Sequence, residues 1–168
     1  MKIEDVNGKL EITEFDEFDA YRIACTVEKE GIRFYEKLWE CTKAPEAKRT
    51  LRFLIDEERD HLRFFEECLF DLRREKEDVS EENDIFQAMD FGIFQPFKEM
   101  REMCAMIDSP GKALSLGVIV EEHAVSFYEA CRVHIAAEKV KRELDVIIRQ
   151  EKEHREKLKS LLAQQKAS

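Results

Sequence analysis

A glutamate followed three residues later by a histidine occurs twice in the chain, and each copy has a further glutamate thirty residues upstream. Every residue of the second set lies 93 positions after its counterpart in the first. Residues three apart lie on one face of a helix, so both side chains can reach one ion. Four glutamates and two histidines in this pattern form the ligand set of a carboxylate-bridged dimetal site in a four-helix bundle. The predicted ligands are Glu28, Glu58, His61, Glu121, Glu151 and His154.

The repeat extends beyond the predicted ligands. Phe34-Tyr35-Glu36 recurs as Phe127-Tyr128-Glu129 at the same offset, which indicates a duplicated helical hairpin. Tyr35 and Tyr128 each follow the upstream glutamate of their hairpin by seven residues, two helical turns along the same face. Each is predicted to hydrogen-bond a ligand carboxylate or to supply an electron; an ordinary core tyrosine is the alternative. Other glutamates beside the motifs, including Glu57, are expected to face solvent.

Composition and periodicity predict an all-α protein. The sequence is 43% hydrophobic and 39% charged, with only five glycines and three prolines, which is typical of long amphipathic helices. Asp16, Pro45 and the pair Ser109-Pro110 are residues that favour helix starts. The predicted helices are 16–42, 45–76, 110–136 and 138–164.

The spacing of these helices predicts the domain organisation. Residues 1–13 form an arm, either a small hairpin turning at Asn7-Gly8 or an extended segment. Residues 14–168 form one bundle. A helix of about 28 residues is about 42 Å long, and the segment between helices 2 and 3, with short helices predicted near Ser80 and Gln95, can cross that length. The bundle therefore consists of hairpin 14–76, crossover 77–108 and hairpin 109–168, with helices 2 and 3 parallel.

Charge balance supports a metal centre. Four carboxylates buried together without a cation would repel one another and lose their hydration. Two divalent cations would neutralise them, and bridging carboxylates would hold the ions about 3.5–4 Å apart. Mixed carboxylate and imidazole ligands suit iron or manganese, with zinc as an alternative. The expected cofactor is two iron ions, with manganese or a mixed pair also compatible.

Composition argues against several partners. The net charge of −10 disfavours nucleic acid, which needs a basic surface. No apolar stretch is long enough to span a bilayer and the first residues lack a signal core, so we expect a cytoplasmic protein without a membrane partner. The five cysteines are widely spaced and include no C-x-x-C pair, so we expect reduced, mainly structural thiols. We also expect a homo-oligomer, with a dimer favoured.

The chain resembles the rubrerythrin-like branch of the ferritin-like superfamily over about residues 16–162. The resemblance is carried by the stretches Val27–Tyr35, Asp56–His61, Val120–Tyr128 and Gln150–His154. It implies a ferritin-like four-helix bundle with one long crossover between helices 2 and 3. It also implies that the six residues are di-iron ligands and that the diferrous centre reacts with peroxide or dioxygen.

Two features depart from rubrerythrins proper. The chain has no C-x-x-C pairs of a rubredoxin domain, so electrons would come from an external donor such as a rubredoxin-like protein. Rubrerythrins also use an additional glutamate three residues after the helix-3 ligand, where this chain has Ala124. The remaining symmetric set is equally similar to a bacterioferritin-type ferroxidase centre.

Three functions are compatible with the sequence. The first is an oxidoreductase that reduces peroxide or dioxygen and protects against oxidative stress. The second is a ferroxidase or iron-handling protein, for which ferrous iron is the substrate. The third is a non-enzymatic metal-binding bundle that mainly mediates assembly.

Overall fold

Four long helices dominate the structure, a computed structural model that describes residues 2–6, 9–13, 16–76, 104–105, 107 and 109–166. All four predicted helices are confirmed, and their ends differ from the predicted ones by at most two residues. Their bounds are Glu17–Cys41 (α1), Pro45–Lys76 (α2), Pro110–His134 (α3) and Glu138–Lys166 (α4).

Local sequence explains where α1 and α3 begin. Asp16 caps α1: its side chain accepts from the backbone N–H of Asp19, and the Asp19 side chain accepts from the backbone of Asp16. This reciprocal arrangement satisfies two backbone donors that the first helical turn leaves free. Ser109 has the extended backbone of a cap residue, and Pro110 occupies the first turn of α3, where no backbone N–H is needed.

The two hairpins repeat each other in backbone and in surface contacts. Three residues join the helices of each hairpin, and the first of them has nearly the same conformation in both: φ −84° and ψ 133° at Thr42, φ −85° and ψ 132° at Ile135. The same repeat appears in ion pairs that join the helices of each hairpin, at 2.7 Å and 2.6 Å. These pairs are Glu36–Arg59 and Glu129–Lys152. The duplication seen in the sequence is therefore also present in three dimensions.

Contacts between the hairpins give the direction of each helix. Tyr35 of α1 hydrogen-bonds Glu121, near the middle of α3, whereas Glu28, earlier in α1, bonds Tyr128, later in α3. These two helices therefore run antiparallel. Because α1 is also antiparallel to α2 within its hairpin, α2 and α3 are parallel, as predicted.

The ends of the crossover lie at opposite ends of the bundle. Lys76, the last residue of α2, pairs with Glu17 at the start of α1 at 2.6 Å. Cys104 is bonded to Cys41, the last residue of α1. Positions 76 and 104 therefore lie at opposite ends of α1, a helix about 37 Å long for its 25 residues. The short helices predicted near Ser80 and Gln95 lie outside the described residues.

The core lies between the two hairpins and continues above and below the predicted ligands. Its largest buried aliphatic residues include Leu38, Leu51, Leu54, Leu114, Leu144 and Leu158. At one point α3 approaches its neighbours closely: a Cβ at Gly117 would lie 3.0 Å from Leu158 Cδ1 and 3.4 Å from Tyr35 Cε1. The absence of a side chain at Gly117 thus leaves room for Tyr35, one of the two tyrosines of the repeated motif.

The N-terminal arm adopts the hairpin alternative. Strands Lys2–Val6 (β1) and Lys9–Thr13 (β2) pair antiparallel, with Ile3 opposite Ile12. This two-stranded ribbon is an addition to the helices that make up most of the other described residues. Among the described residues, no helix is both long enough and apolar enough to cross a membrane.

The expectation that all five cysteines are reduced is wrong for one pair. Cys41 and Cys104 form a disulfide, with Cα atoms 4.9 Å apart and a sequence separation of 63. Cys25, Cys68 and Cys131 are free. The sequence contained no signal for this pair, because its proximity depends on where the crossover returns to the bundle.

The disulfide predicts a defined number of reactive thiols. Alkylation of the unfolded protein without reductant should label three cysteines, and alkylation after reduction should label five, as measured by intact mass. Replacing Cys41 with serine should lower the free energy of unfolding by about 2–4 kcal/mol under non-reducing conditions, because the unfolded chain loses a covalent constraint. Cys25→Ser is the matched control that leaves the bridge intact. Five labelled thiols before reduction would contradict the pairing.

Candidate metal centre

The six residues predicted as metal ligands converge in the middle of the bundle. Each of the four helices contributes: α1 and α3 supply one glutamate each, while α2 and α4 supply a glutamate and a histidine each. All six side chains are buried, none more than 5% exposed. They are Glu28, Glu58, His61, Glu121, Glu151 and His154.

The donor atoms fall into two overlapping groups of four residues. In each group, one donor atom from every residue lies within 4.8 Å of the others. Glu58 and Glu151 belong to both groups. The first group is completed by Glu28 and His61, the second by Glu121 and His154. Two carboxylates therefore stand between two equivalent sets of one glutamate and one histidine, which is the arrangement of a bridged dimetal site.

His61 has a nitrogen close to three carboxylates but not hydrogen-bonded to them. Its Nδ1 lies 3.0 Å from Glu151 Oε1, 3.5 Å from Glu58 Oε2 and 3.6 Å from Glu28 Oε2. Despite these short distances, neither ring nitrogen of His61 forms a hydrogen bond with suitable geometry. A buried nitrogen without a directed partner is costly. A cation shared by this nitrogen and the carboxylate oxygens would satisfy it.

His154 mirrors His61 and reveals a residue that the sequence analysis missed. The two imidazole rings stack with centroids 5.5 Å apart. His154 Nδ1 lies 3.2 Å from Glu151 Oε2, and its Nε2 faces Glu57 Oε2 at 3.5 Å. Glu57, expected to face solvent, is instead half-buried behind this histidine. A carboxylate behind a histidine ligand orients the ring and increases its basicity; the repeat contained no signal for it, because Gln150 occupies the corresponding position.

Tyr35 and Tyr128 bind the carboxylates of the opposite hairpin. Tyr35 donates its hydroxyl hydrogen to Glu121 Oε1, and Tyr128 donates to Glu28 Oε1. Both tyrosines are fully buried. Burial, together with the negative charge of Glu121 beside Tyr35 and of Glu28 beside Tyr128, raises the pKa of each phenol well above its ordinary value. Both phenols therefore remain protonated donors that fix the orientation of the two non-shared glutamates.

The pKa shifts of the clustered side chains are those expected where several carboxylates share a buried volume. Burial and the neighbouring carboxylates raise the pKa of Glu58 and of Glu121 well above the usual range. Burial alone would lower the pKa of His61, but Glu151, Glu28 and Glu58 outweigh it and raise that pKa strongly. Glu151 also resists protonation: burial opposes its charge, yet contacts with His154 and His61 lower its pKa.

The donor set fits a pair of divalent cations. Two such ions would balance the four carboxylate charges, provide a partner for His61, and receive one imidazole nitrogen each. Oxygen and imidazole donors without thiolate are typical of iron and manganese sites. These residues can therefore hold two metal ions, with Glu58 and Glu151 positioned as the shared ligands.

Other glutamates near the motifs form ion pairs outside the metal centre. Glu36 and Glu129 form the ion pairs between helices described above, and Glu122 pairs with Lys159 at 3.0 Å on the surface. Ala124, at the position of the additional rubrerythrin glutamate, is buried in the core. The centre therefore has six candidate ligands, arranged with an approximate two-fold symmetry.

Together, the fold and the site define a ferritin-like di-metal carboxylate protein. A solved structure described as a ferritin-like diiron-carboxylate protein from Thermotoga maritima is similar to this chain, with a TM-score of 0.64 and 24% identity over 91% of this chain and 98% of that one. At that identity the likeness concerns the fold. The family model for rubrerythrin matches residues 5–93, more than half of the chain, and the protein belongs to the rubrerythrin family. No curated protein matches the chain.

The buried carboxylates predict that the metal-free protein carries an electrostatic penalty. The raised pKa of Glu121 means that the folded state binds its proton more tightly than the unfolded state. The penalty is therefore absent below about pH 4, where both states are protonated, and grows as pH rises toward the folded-state pKa. Glu121→Gln, which still accepts from Tyr35, should raise the melting temperature of metal-free protein at neutral pH and change it little in acid.

The surface variant Glu122→Gln is the matched control. It should change the free energy of unfolding by no more than about 0.5 kcal/mol at either pH. Equal effects of the two substitutions at neutral pH would contradict the assignment of a buried charge to Glu121.

Proposed function

We propose that the protein is a di-iron oxidoreductase that reduces hydrogen peroxide, with dioxygen as a second oxidant, using electrons from an external donor. The observation that carries the proposal is the pair of four-residue donor groups sharing Glu58 and Glu151. Membership of the rubrerythrin family and the likeness to a diiron-carboxylate protein support iron as the metal. Manganese, or a mixed pair, would use the same ligands.

The two irons, when bound, would supply the two electrons that convert one peroxide and two protons into two waters. Glu28, Glu58, His61, Glu121, Glu151 and His154 would hold them. The surrounding residues would position the ligands, hold a proton near the site and limit the access of water. Tyr35 and Tyr128 hold the non-shared glutamates and keep a phenolic proton at the edge of the site. The apolar core around the site limits access of water to the reduced metals.

The electron donor would be a separate protein, such as one of rubredoxin type. These 168 residues contain no C-x-x-C pair and hence no rubredoxin-type iron site of their own. Reduction would therefore be a bimolecular step with a rate that depends on donor concentration.

A ferroxidase function is the second candidate. Ala124 leaves the two metal positions with equivalent ligand sets, which is the symmetry of a bacterioferritin-type centre. In that case, ferrous iron would be substrate as well as cofactor. Oxidation of more than two ferrous ions per chain, with the product retained, would favour this function.

The ligand assignment predicts which substitutions remove metal. His61→Ala and His154→Ala should each lower the iron content measured by elemental analysis, while the exposed His134→Ala should retain two irons per chain. Glu58→Gln should lose both ions, because its carboxylate is shared, whereas Glu28→Gln should lose mainly one. Saturating iron at a hundredfold excess over the dissociation constant should stabilise the wild-type fold by about 2.7 kcal/mol.

Undiminished metal content in both histidine variants would overturn the site. An increase in melting temperature on adding iron that is equal in wild type and Glu58→Gln would do the same.

The catalytic proposal predicts peroxide consumption coupled to donor oxidation. Iron-loaded, anaerobically reduced protein should consume one peroxide per two electrons, followed by peroxide electrode and by the absorbance of the donor. Glu58→Gln should lose this turnover, and Glu122→Gln should keep it. Full metal loading without peroxide consumption would reject the peroxidase proposal, and iron accumulation in the same protein would then favour ferroxidase activity.

A further inference from the structure

A line of buried aromatic rings leads away from one side of the metal centre. Tyr128, which holds Glu28, stacks on Phe65 with ring centroids 6.0 Å apart. Phe65 in turn contacts Tyr21, with centroids 6.4 Å apart. None of the three rings is more than 2% exposed. Two oxidisable phenols are thus joined through a phenylalanine ring in a dry part of the core.

The outer end of this line reaches a proton acceptor close to the surface. Tyr21 donates its hydroxyl hydrogen to Glu143 Oε2 on α4. Glu143 is only half-buried, so its carboxylate can exchange protons with solvent. The thiol of Cys68, also half-buried, is free. Tyr21 therefore combines a buried ring with an immediate route for its proton.

The other half of the repeat lacks this line. At the 93-residue offset, the counterparts of Phe65 and Tyr21 are Leu158 and Leu114, both fully buried. The counterpart of Glu143 is Thr50, which donates to the backbone carbonyl of Glu46 in its own helix. The ligands, the tyrosines beside them and the hairpin tips obey the repeat, but the aromatic line does not. Leucine packs well at these positions, so packing alone does not require aromatic residues.

We propose that Tyr21 is a one-electron relay between the surface and the metal centre, with Phe65 and Tyr128 as the path and Glu143 as its proton acceptor. If bound iron provided only one of the two electrons that, with two protons from solvent, convert peroxide into two waters, Tyr21 would supply the second electron. Its phenolic proton moves to Glu143 as the electron leaves, which forms a neutral tyrosyl radical. An external one-electron donor then reduces the radical, and the proton returns from Glu143 to the phenol.

The inference rests on the proposed peroxide reduction and adds the side of the molecule at which electrons enter. Because the aromatic line runs from Tyr128 of the second hairpin through Phe65 and Tyr21 of the first, and its repeat-related counterpart ends in leucines, the external donor would act at the Tyr21 side and not at the corresponding Leu114 side. The alternative is a purely structural role, in which the hydrogen bond between Tyr21 and Glu143 only connects α1 to α4. That role would affect stability without placing a radical on Tyr21.

The test uses iron-loaded protein reduced by one electron per chain, mixed with hydrogen peroxide and freeze-quenched for electron paramagnetic resonance. The wild type should give a tyrosyl signal that narrows when the tyrosines carry ring deuterium. Tyr21→Phe should lose the signal, since its ring remains but its hydroxyl is gone. Phe65→Leu, which copies the packing of Leu158, should lose it as well while keeping all three tyrosines.

Phe34→Leu is the matched control: Phe34 is buried beside Tyr35 and lies outside the aromatic line. This variant should keep the Tyr21 signal. A spin-trap adduct mapped by mass spectrometry gives a second readout and should lie on the peptide containing Tyr21. A wild-type signal or adduct on Tyr35 or Tyr128 but not on Tyr21, or an undiminished signal in Phe65→Leu, would overturn the relay.

The experiments distinguish a failure of the Tyr21 relay from a failure of the proposed peroxidase function. If wild-type protein with two irons consumes peroxide at the same rate as Tyr21→Phe and no Tyr21 radical forms, the relay is wrong and the peroxidase function stands. If the loaded wild type does not consume peroxide at all, the peroxidase function is wrong and the relay is rejected with it.

Discussion

The burial of four carboxylates in one small volume is the constraint on which the rest of the structure depends. Each carboxylate loses hydration on folding and repels the others, and this cost is tolerable only when positive charge enters the same volume. The His61 imidazole supplies part of it, because the nearby carboxylates of Glu151, Glu28 and Glu58 raise its pKa. Two divalent cations would complete the compensation, which links the stability of the bundle core to metal binding.

The two hairpins are held together by bonds that cross between them. Tyr35 and Tyr128 each reach over to the glutamate of the opposite hairpin, and Glu58 and Glu151 lie in both donor groups. Neither hairpin therefore contains a complete site. Docking of the hairpins therefore assembles both donor groups, and a displacement of either hairpin would disturb both of them.

Departures from the repeat are as informative as the repeat itself. Glu57 supports His154, whereas the corresponding Gln150 does not have a carboxylate to place behind His61. The aromatic line Tyr128–Phe65–Tyr21 likewise exists on one side only. These differences make the two repeat-related sides of the centre chemically unequal, although their six candidate ligands follow the repeat.

The sequence by itself determined the helices, the six converging residues and the direction of α3. Helical periodicity, helix-start residues and the 93-residue repeat are local or additive signals, and a long connection between α2 and α3 leaves room for a parallel arrangement. Tertiary structure alone decided which carboxylates are shared, that each tyrosine bonds the opposite hairpin, that Glu57 lies behind His154, and that Cys41 meets Cys104. These features depend on the rotation and depth of one helix against another. Such quantities arise from packing across the whole core, and no short stretch of sequence encodes them.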